Sequence, residues 1–267
     1  MRPLDIVVCI KPVPDPKHWN KLSLDPETML LKRGVIPAVI NPLDRHAIEQ
    51  AASIRAEAGG TISVVAMAPP DAEEQLAEAL AMGCDRAFLL SDPAFAGADT
   101  LATARTLTAA IRKIGRFDLV FCGAHSADGS TSQVGPQVAE LLAIPDLTRT
   151  IRLTLGDDGL EATCEVDDGQ VTYACDLPAL VTFDREANVP RLPTMTGIMK
   201  AAESGIVRWG ASDLNLDAAV VGLKGSPTQM LNVFKPPVGR KGEILQGPPH
   251  ETAGKLIGKL RAERILR

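Results

Sequence analysis

The sequence is poor in aromatic residues and has no excess of positive charge. Phe, Trp and Tyr make up 3% of its 267 residues, which argues against nucleic-acid binding by base stacking, because such surfaces need exposed rings. The net charge of −5 and the isoelectric point near 5.5 also give no electrostatic attraction to phosphate backbones or anionic lipids. We therefore expect no nucleic-acid partner.

Long apolar segments are missing as well. No apolar run approaches the roughly 20 residues that a membrane-spanning helix needs. The first residues lack the charge, apolar stretch and cleavage site of a signal peptide. We expect a cytoplasmic protein without a membrane span.

Closely spaced cysteines are absent too. Because the five cysteines form no C-x-x-C pair, we predict no zinc or iron–sulfur site. Cys9 and Cys122 lie in strand-like apolar runs, where a thiol packs as a small hydrophobic group, as expected in a reducing compartment. The four histidines have no evident carboxylate or serine partner in the sequence, so we predict no catalytic residue in this chain.

Strand and helix patterns alternate over the first half of the chain. Short runs rich in β-branched residues predict buried parallel strands at residues 6–10, 62–68, 87–90 and 119–122. Helical periodicity begins near Asp44, Glu73, Leu101 and Ser132. This alternation is typical of an α/β fold with a doubly wound parallel sheet.

The pattern changes after Thr150. Residues 150–155, 160–166 and 170–177 alternate polar and apolar side chains, and Asp-Asp-Gly turns separate them, which predicts an antiparallel hairpin region. Residues 179–183 are expected to return to the sheet. Residues 205–250 are rich in proline and glycine and are not expected to fold compactly alone. A plausible amphipathic helix follows, so we divide the chain into a domain at 1–204 and an arm at 205–267 that either wraps a partner or is a disordered tail.

The loop after the fourth strand is the strongest candidate site. The chain has neither G-x-G-x-x-G after its first strand nor a Walker A sequence. Residues 123–136 instead join a strand to a helix through small and hydroxyl-bearing residues, whose free N–H groups at a helix start suit a phosphate. The alternative is an ordinary capped helix behind a surface loop. Ligands of open α/β sheets bind at the carboxyl ends of strands, and residues 9–12, 41–44 and 67–69 are expected at the same edge.

Several segments resemble the beta subunits of electron transfer flavoproteins, and the resemblance extends over essentially the whole chain. The matching segments are residues 128–135, 178–183, 188–191 and 197–201. The resemblance implies an adenine-nucleotide-binding sheet paired with an alpha subunit that carries its own FAD. The residues implied to contact the beta-subunit cofactor are Cys9, Asn41, Pro42, Leu43, Asp44, Met67, Gly123, Ala124, His125, Ser126, Ala127, Asp128, Gly129, Ser130, Thr131, Ser132, Gln133 and Val134.

The resemblance also implies a docking segment near Met195 for an acyl-CoA-type or other flavin dehydrogenase. An exposed apolar residue is a reasonable anchor for a transient complex. The alternative is that Met195 packs inward.

Residues 128–136, D-G-S-T-S-Q-V-G-P, are similar to the loop of flavin-bifurcating members, whose beta subunit holds a second FAD and accepts a hydride from NADH. Residues 24–28, 33–37, 40–42 and 222–228 match that branch too, which implies cofactor contacts by Lys224, Ser226 and Thr228. Three residues depart from its pattern, namely Lys32, Ser130 and Ser132. The other possibilities are a simple electron carrier with structural AMP in the beta site and a stand-alone adenine-nucleotide sensor.

Overall fold

The computed structural model describes residues 2–21, 36–156, 159–229, 231 and 242–266. Lys32, the segments at 24–28 and 33–35 and the turn residues Asp157 and Asp158 lie outside the described residues. The chain separates into two compact units, Met1–Met230 and Leu231–Arg267.

A nine-stranded sheet forms the centre of the first unit. Its order is β11-β5-β4-β1-β6-β10-β7-β8-β9, and the strands from β11 to β7 run parallel, whereas β8 and β9 continue antiparallel. A separate pair, β2 and β3, is antiparallel. The strands are β1 Leu4–Ile10, β2 Pro12–Pro14, β3 Ala38–Ile40, β4 Gly60–Met67, β5 Arg86–Leu90, β6 Leu119–Gly123, β7 Asp146–Leu155, β8 Gly159–Val166, β9 Gly169–Asp176, β10 Ala179–Phe183 and β11 Ile206–Trp209. The predicted α/β class, the mostly parallel sheet and the antiparallel hairpin region are confirmed.

Helices cover both faces of this sheet. The helices are α1 Pro42–Ala58, α2 Glu73–Met82, α3 Thr100–Ile114, α4 Val134–Leu142, α5 Met195–Glu203 and α6 Pro249–Ala262. One core joins α1 and α2 to one face, and the other joins α3 and α4 to the opposite face. The central strands β1, β4 and β5 are mostly apolar along their length, as expected for strands that are buried on both faces.

The direction of chain progress through the sheet reverses between β1 and β6. From β1 the chain moves outward through β4 and β5, and it then returns to place β6 on the other side of β1. Such a reversal leaves a crevice at the carboxyl ends of the two strands, which is the usual ligand position in open α/β sheets.

The segment after Gly205 differs from the prediction. Strand β11 pairs with β5, and both Val221 and Ser226 are buried within the first unit. Residues 206–229 therefore pack on the domain, and the compact units divide at 230/231 instead of 204/205.

In the second unit, the predicted helix forms as α6, and none of its residues is buried. No helix in the described ranges combines the length and the apolar character needed to cross a lipid bilayer.

Candidate functional site

The carboxylate of Asp44 joins three segments at the β1/β6 crevice. Its Oδ2 accepts a hydrogen bond from the main-chain N–H of Lys11 at 2.7 Å, just after β1. Its Oδ1 accepts from the N–H of Gly123 at 3.0 Å, at the end of β6, and from Nδ2 of Asn41 at 2.9 Å. The end of β1, the end of β6 and the start of α1 are thus fixed to one buried side chain.

Asn41 extends this connection to the loop. Its Nδ2 also donates to the carbonyl oxygen of His125 at 2.9 Å, and its Oδ1 accepts from the N–H of Ala127 at 3.0 Å. The residue occupies the N-cap position of α1, although its side chain makes no capping hydrogen bond, and it is only 1% exposed. The structure therefore brings together Asn41, Asp44 and the loop after β6, as the sequence predicts, while the ring of His125 stays exposed.

Gly123 is required by the closeness of this packing. A Cβ at this position would lie 2.5 Å from Oδ1 of Asp44 and 2.7 Å from Cβ of Leu43. Gly129 is less restricted, because its Cβ would meet nothing nearer than Ser126 Oγ at 3.2 Å. Of these two glycines, Gly123 is therefore the one that lets the backbone of the loop pack closely against α1.

Burial raises the pKa of Asp44 to about 6, although the hydrogen bonds from Asn41, Lys11 and Gly123 oppose this rise. All three partners are N–H donors, so the geometry is fully satisfied only by the ionised carboxylate. Burial, together with the charge of Asp44, also raises the pKa of the neighbouring Cys9 thiol to about 12. Cys9 is thus a neutral thiol in the crevice wall.

The second half of the loop offers free N–H groups. Ser130 and Ser132 have left-handed φ values of 49° and 56°, and Gln133 follows with φ −98° and ψ −28°. A left-handed residue followed by a right-handed one, as in Ser132–Gln133, turns successive N–H groups to one side, which is the geometry of backbone nests that bind anions. Within the described chain, the N–H groups of Thr131, Ser132 and Gln133 have no hydrogen-bond partner. These N–H groups are free to donate hydrogen bonds to an anion.

The same backbone geometry delays the start of α4. The helix begins at Val134 instead of near Ser132, because a residue with φ 56° cannot belong to a right-handed helix. Gly135 lets this first turn approach the sheet closely, since a Cβ there would lie 2.7 Å from Cγ2 of Thr182 on β10.

Lys11 is a member of the site that the sequence patterns did not single out as a ligand contact. Its Nζ lies 2.6 Å from Oδ1 of Asp128 and 3.3 Å from Oγ of Ser126. The hydroxyl of Ser126 also accepts from the N–H of Gly129 at 3.3 Å. The signal in the sequence was a lysine directly after the first strand, at the end of β1 where the crevice forms.

Residues 222–228 lie beside the start of α3. Ser226 is buried; its Oγ donates to the carbonyl of Gly222 at 2.6 Å and accepts from the N–H of Asp99 at 2.8 Å. The N–H of Thr228 donates to the side chain of the same aspartate, at 2.9 Å from Oδ2 of Asp99. Lys224 and the side chain of Thr228 are exposed. Cofactor contacts by these three residues stay a prediction.

Met67 and Met195 have different surroundings. Met67 is half-buried at the end of β4. Met195 is the first residue of α5 and is 74% exposed, so the alternative that it packs inward is wrong. The other exposed apolar residues of this segment, which we call the Met195 segment (residues 188–199), are Val189, Leu192, Ile198 and Met199.

Two contacts hold the Met195 segment in place. Arg191 forms a bidentate pair with Glu49 of α1, with Nε at 2.7 Å from Oε2 and Nη2 at 2.9 Å from Oε1. Gly197 lets α5 approach α2, because a Cβ there would lie 2.3 Å from the carbonyl oxygen of Ala81. The apolar side chains therefore protrude from a fixed backbone.

Sequence comparison gives a consistent set of relatives. Residues 28–214 match the family described as the electron transfer flavoprotein domain. The chain is 42% identical over 264 residues to the electron transfer flavoprotein subunit beta of Thermoanaerobacterium thermosaccharolyticum, covering 98% of this chain and 100% of the relative. It is 41% identical over 263 residues to the caffeyl-CoA reductase-Etf complex subunit CarD of Acetobacterium woodii, covering 98% and 99%. It is 36% identical over 268 residues to the acryloyl-CoA reductase electron transfer subunit gamma of Anaerotignum propionicum, covering 98% and 99%.

Proposed function

The chain belongs to the family of electron transfer flavoprotein beta subunits, and we propose that it passes electrons between NADH or a dehydrogenase and flavin partners within an alpha–beta heterodimer. The observation that carries this proposal is the loop after β6, whose free N–H groups at Thr131, Ser132 and Gln133 lie at the start of α4. These donors suit the phosphate of an adenine-containing cofactor.

The chain's own contribution is to bind and orient that cofactor. A bound flavin supplies the chemistry of one- and two-electron transfer. Asp44 and Asn41 hold the loop against the ends of β1 and β6, and Gly123 allows the close approach. The wall beneath is apolar and carries the neutral thiol of Cys9.

We propose FAD as the occupant of the beta site and flavin-based electron bifurcation as the activity of the complex. The side chains of residues 129–132 are small, which leaves room for a larger cofactor. Lys224 and Thr228 are exposed, and Thr228 lies next to Asp99 at the start of α3. Relatives named for the reduction of caffeyl-CoA and acryloyl-CoA support the same branch.

One observation favours the alternative of structural AMP. The hydroxyl of Ser226 is buried and already hydrogen-bonded to Gly222 and Asp99. Less of its bonding capacity is therefore free for a larger cofactor, and an AMP-bearing subunit would act as a simple electron carrier.

The Met195 segment is the proposed docking surface for an acyl-CoA-type or other flavin dehydrogenase. Leu192 and Met195 are 78% and 74% exposed, and apolar anchors of this kind carry much of the energy of transient complexes. The pair of Arg191 and Glu49 holds the segment ready for contact, which lowers the entropy cost of binding.

Helix α6 is proposed to bind the alpha subunit. Leu256 and Ile257 are nearly half exposed, and no α6 residue is buried within the second unit. A stand-alone nucleotide sensor would need neither this helix nor the Met195 segment.

Cofactor analysis of the purified heterodimer tests the proposal. We expect two FAD and no AMP per heterodimer, and NADH should bleach the flavin absorbance in the absence of any dehydrogenase. One FAD with one AMP and no NADH oxidation would identify a simple carrier instead. Adenine nucleotide in a chain that never pairs with an alpha subunit would identify a sensor.

A further inference from the structure

Lys11 connects all three parts of the site. Its N–H binds Asp44, its carbonyl accepts from the N–H of Asn41 at 2.9 Å, and its ammonium reaches Asp128 and Ser126 in the loop. No other Lys or Arg side chain among the described residues hydrogen-bonds to residues 123–134.

We propose that Lys11 is the phosphate-binding cation of this site, and that its ammonium turns its third donor to the phosphate of an adenine nucleotide while it stays paired with Asp128. This inference rests on the proposed function, because it assigns a residue to the binding of the same cofactor.

The charges around the loop require such a cation. Asp44 and Asp128 place two carboxyl groups at the crevice, and both repel a phosphate when ionised. Burial alone would raise the pKa of Asp128, but the hydrogen bond from Lys11 holds that pKa below its usual range. Asp128 is therefore ionised at neutral pH, and the pair with Lys11 leaves this part of the loop neutral.

The exposures of the two side chains indicate which partner moves. The side chain of Lys11 is 44% exposed, whereas that of Asp128 is 12% exposed. A lysine has a flexible stem and three donors, and only two acceptors occupy those donors here. Reorientation of Lys11 within the crevice is thus easier than displacement of Asp128.

The test compares ADP with adenosine, because ADP adds the phosphates shared with larger adenylate cofactors. The full-length chain, freed of nucleotide, is titrated calorimetrically with each probe. The wild type should bind ADP much more tightly than adenosine. In Lys11→Met, ADP affinity should fall by about 10- to 100-fold, the usual effect of losing a charged hydrogen bond, with adenosine affinity unchanged. Lys11→Arg should keep most of the discrimination.

The double variant Lys11→Met/Asp128→Asn separates contact from neutralisation. It removes both charges and leaves no unpaired carboxylate at residue 128. If thermal melting shows that Lys11→Met folds poorly, the double variant replaces it in the test. If Lys11 only neutralises Asp128, this variant should bind ADP like the wild type, and the inference is overturned. If Lys11 contacts phosphate, ADP affinity should stay at least about tenfold weaker.

Lys17→Met is the matched control, because Lys17 is exposed and its side chain makes no hydrogen bond in the described structure. It removes the same charge and should leave ADP affinity within about twofold of the wild type.

A wild type that binds neither probe, or both equally, would count against the proposed function itself. A wild type that prefers ADP, with Lys11→Met unchanged from it, would count against Lys11 alone.

Discussion

The hydroxyl of Thr100, the first residue of α3, donates a hydrogen bond to Oε1 of Gln133 at 3.0 Å. Nε2 of Gln137 donates to the same hydroxyl at 3.3 Å. Helices α3 and α4 therefore begin side by side, and the loop residue before α4 is fixed to the start of the neighbouring helix. The start of α3 is already capped by the carboxylate of Asp99, whereas the start of α4 carries the free N–H groups of the loop, so an anion is favoured at α4.

Gly123→Ala should disrupt the site from within. The added methyl group would lie 2.5 Å from Oδ1 of Asp44, so either the carboxylate or the loop must move. We expect the free energy of unfolding to fall by about 1–3 kcal/mol and the purified protein to retain less nucleotide. Chemical denaturation and nucleotide extraction measure the two effects. Gly205→Ala is the matched control, because a Cβ there meets nothing within 4 Å; equal behaviour of both variants would contradict the role of Gly123.

The pKa of Asp44 predicts a specific dependence of stability on pH. Burial raises this pKa from 3.8 to about 6, so between roughly pH 4 and 6 the folded protein holds a proton that the unfolded chain has released. The contribution of Asp44 to stability should therefore fall as pH rises through this window, by about 3 kcal/mol in total, and level off above it. The free energies of unfolding of the wild type and of Asp44→Asn are measured in urea at a series of pH values. The difference between them isolates this contribution. A flat difference curve would show that the carboxyl titrates normally.

Met195→Ala should slow electron transfer to the partner dehydrogenase without changing the cofactor content. The side chain is 74% exposed, so its removal should leave the fold intact while a docking anchor is lost. An anchor worth about 2 kcal/mol corresponds to roughly 30-fold in affinity. Stopped-flow measurement over a range of dehydrogenase concentrations gives this number. Val207→Ala, on the exposed edge strand β11, is the control, and identical kinetics in both variants would remove Met195 from the interface.

Replacement of exposed apolar residues of α6 by charged ones should prevent pairing with the alpha subunit. Leu256→Asp combined with Ile257→Asp places two carboxylates where an apolar contact is proposed, and an unpaired buried charge is strongly unfavourable. Co-purification and gel filtration should show the beta chain alone. Lys255→Asp on the same helix introduces a carboxylate at an exposed position and should still pair; loss of pairing in both would indicate a general effect of charge.

Local patterns in the sequence predicted the elements whose bounds depend on local chemistry. The helix predicted to begin near Glu73 starts at that residue and ends at Met82, directly before Gly83, because its apolar periodicity and the glycine after it are local signals. Residues 206–229 were misassigned because their structure depends on distant partners, namely the pairing of β11 with β5 and the burial of Val221. A proline- and glycine-rich composition carries no information about such partners.

Part of the site was also predictable from local patterns. The proximity of Asn41, Asp44 and the loop after β6 follows from their positions at strand ends and helix starts. The pairing of Lys11 with Asp128 could not be predicted in this way, because 117 positions separate the two residues in the chain and no sequence spacing connects them. The left-handed conformation of Ser132 was also hidden, since only glycine, asparagine or aspartate would have signalled it.

The contact between Arg191 and Glu49 gives α1 a second role. Asp44 binds the loop from the first turn of this helix, and Glu49, five residues later, binds the Met195 segment. At 1.5 Å per residue these attachment points are about 7–8 Å apart along the helix axis. Both attachment points lie in the N-terminal half of α1, so a displacement of this half would move the anchor of the loop and the support of the Met195 segment together.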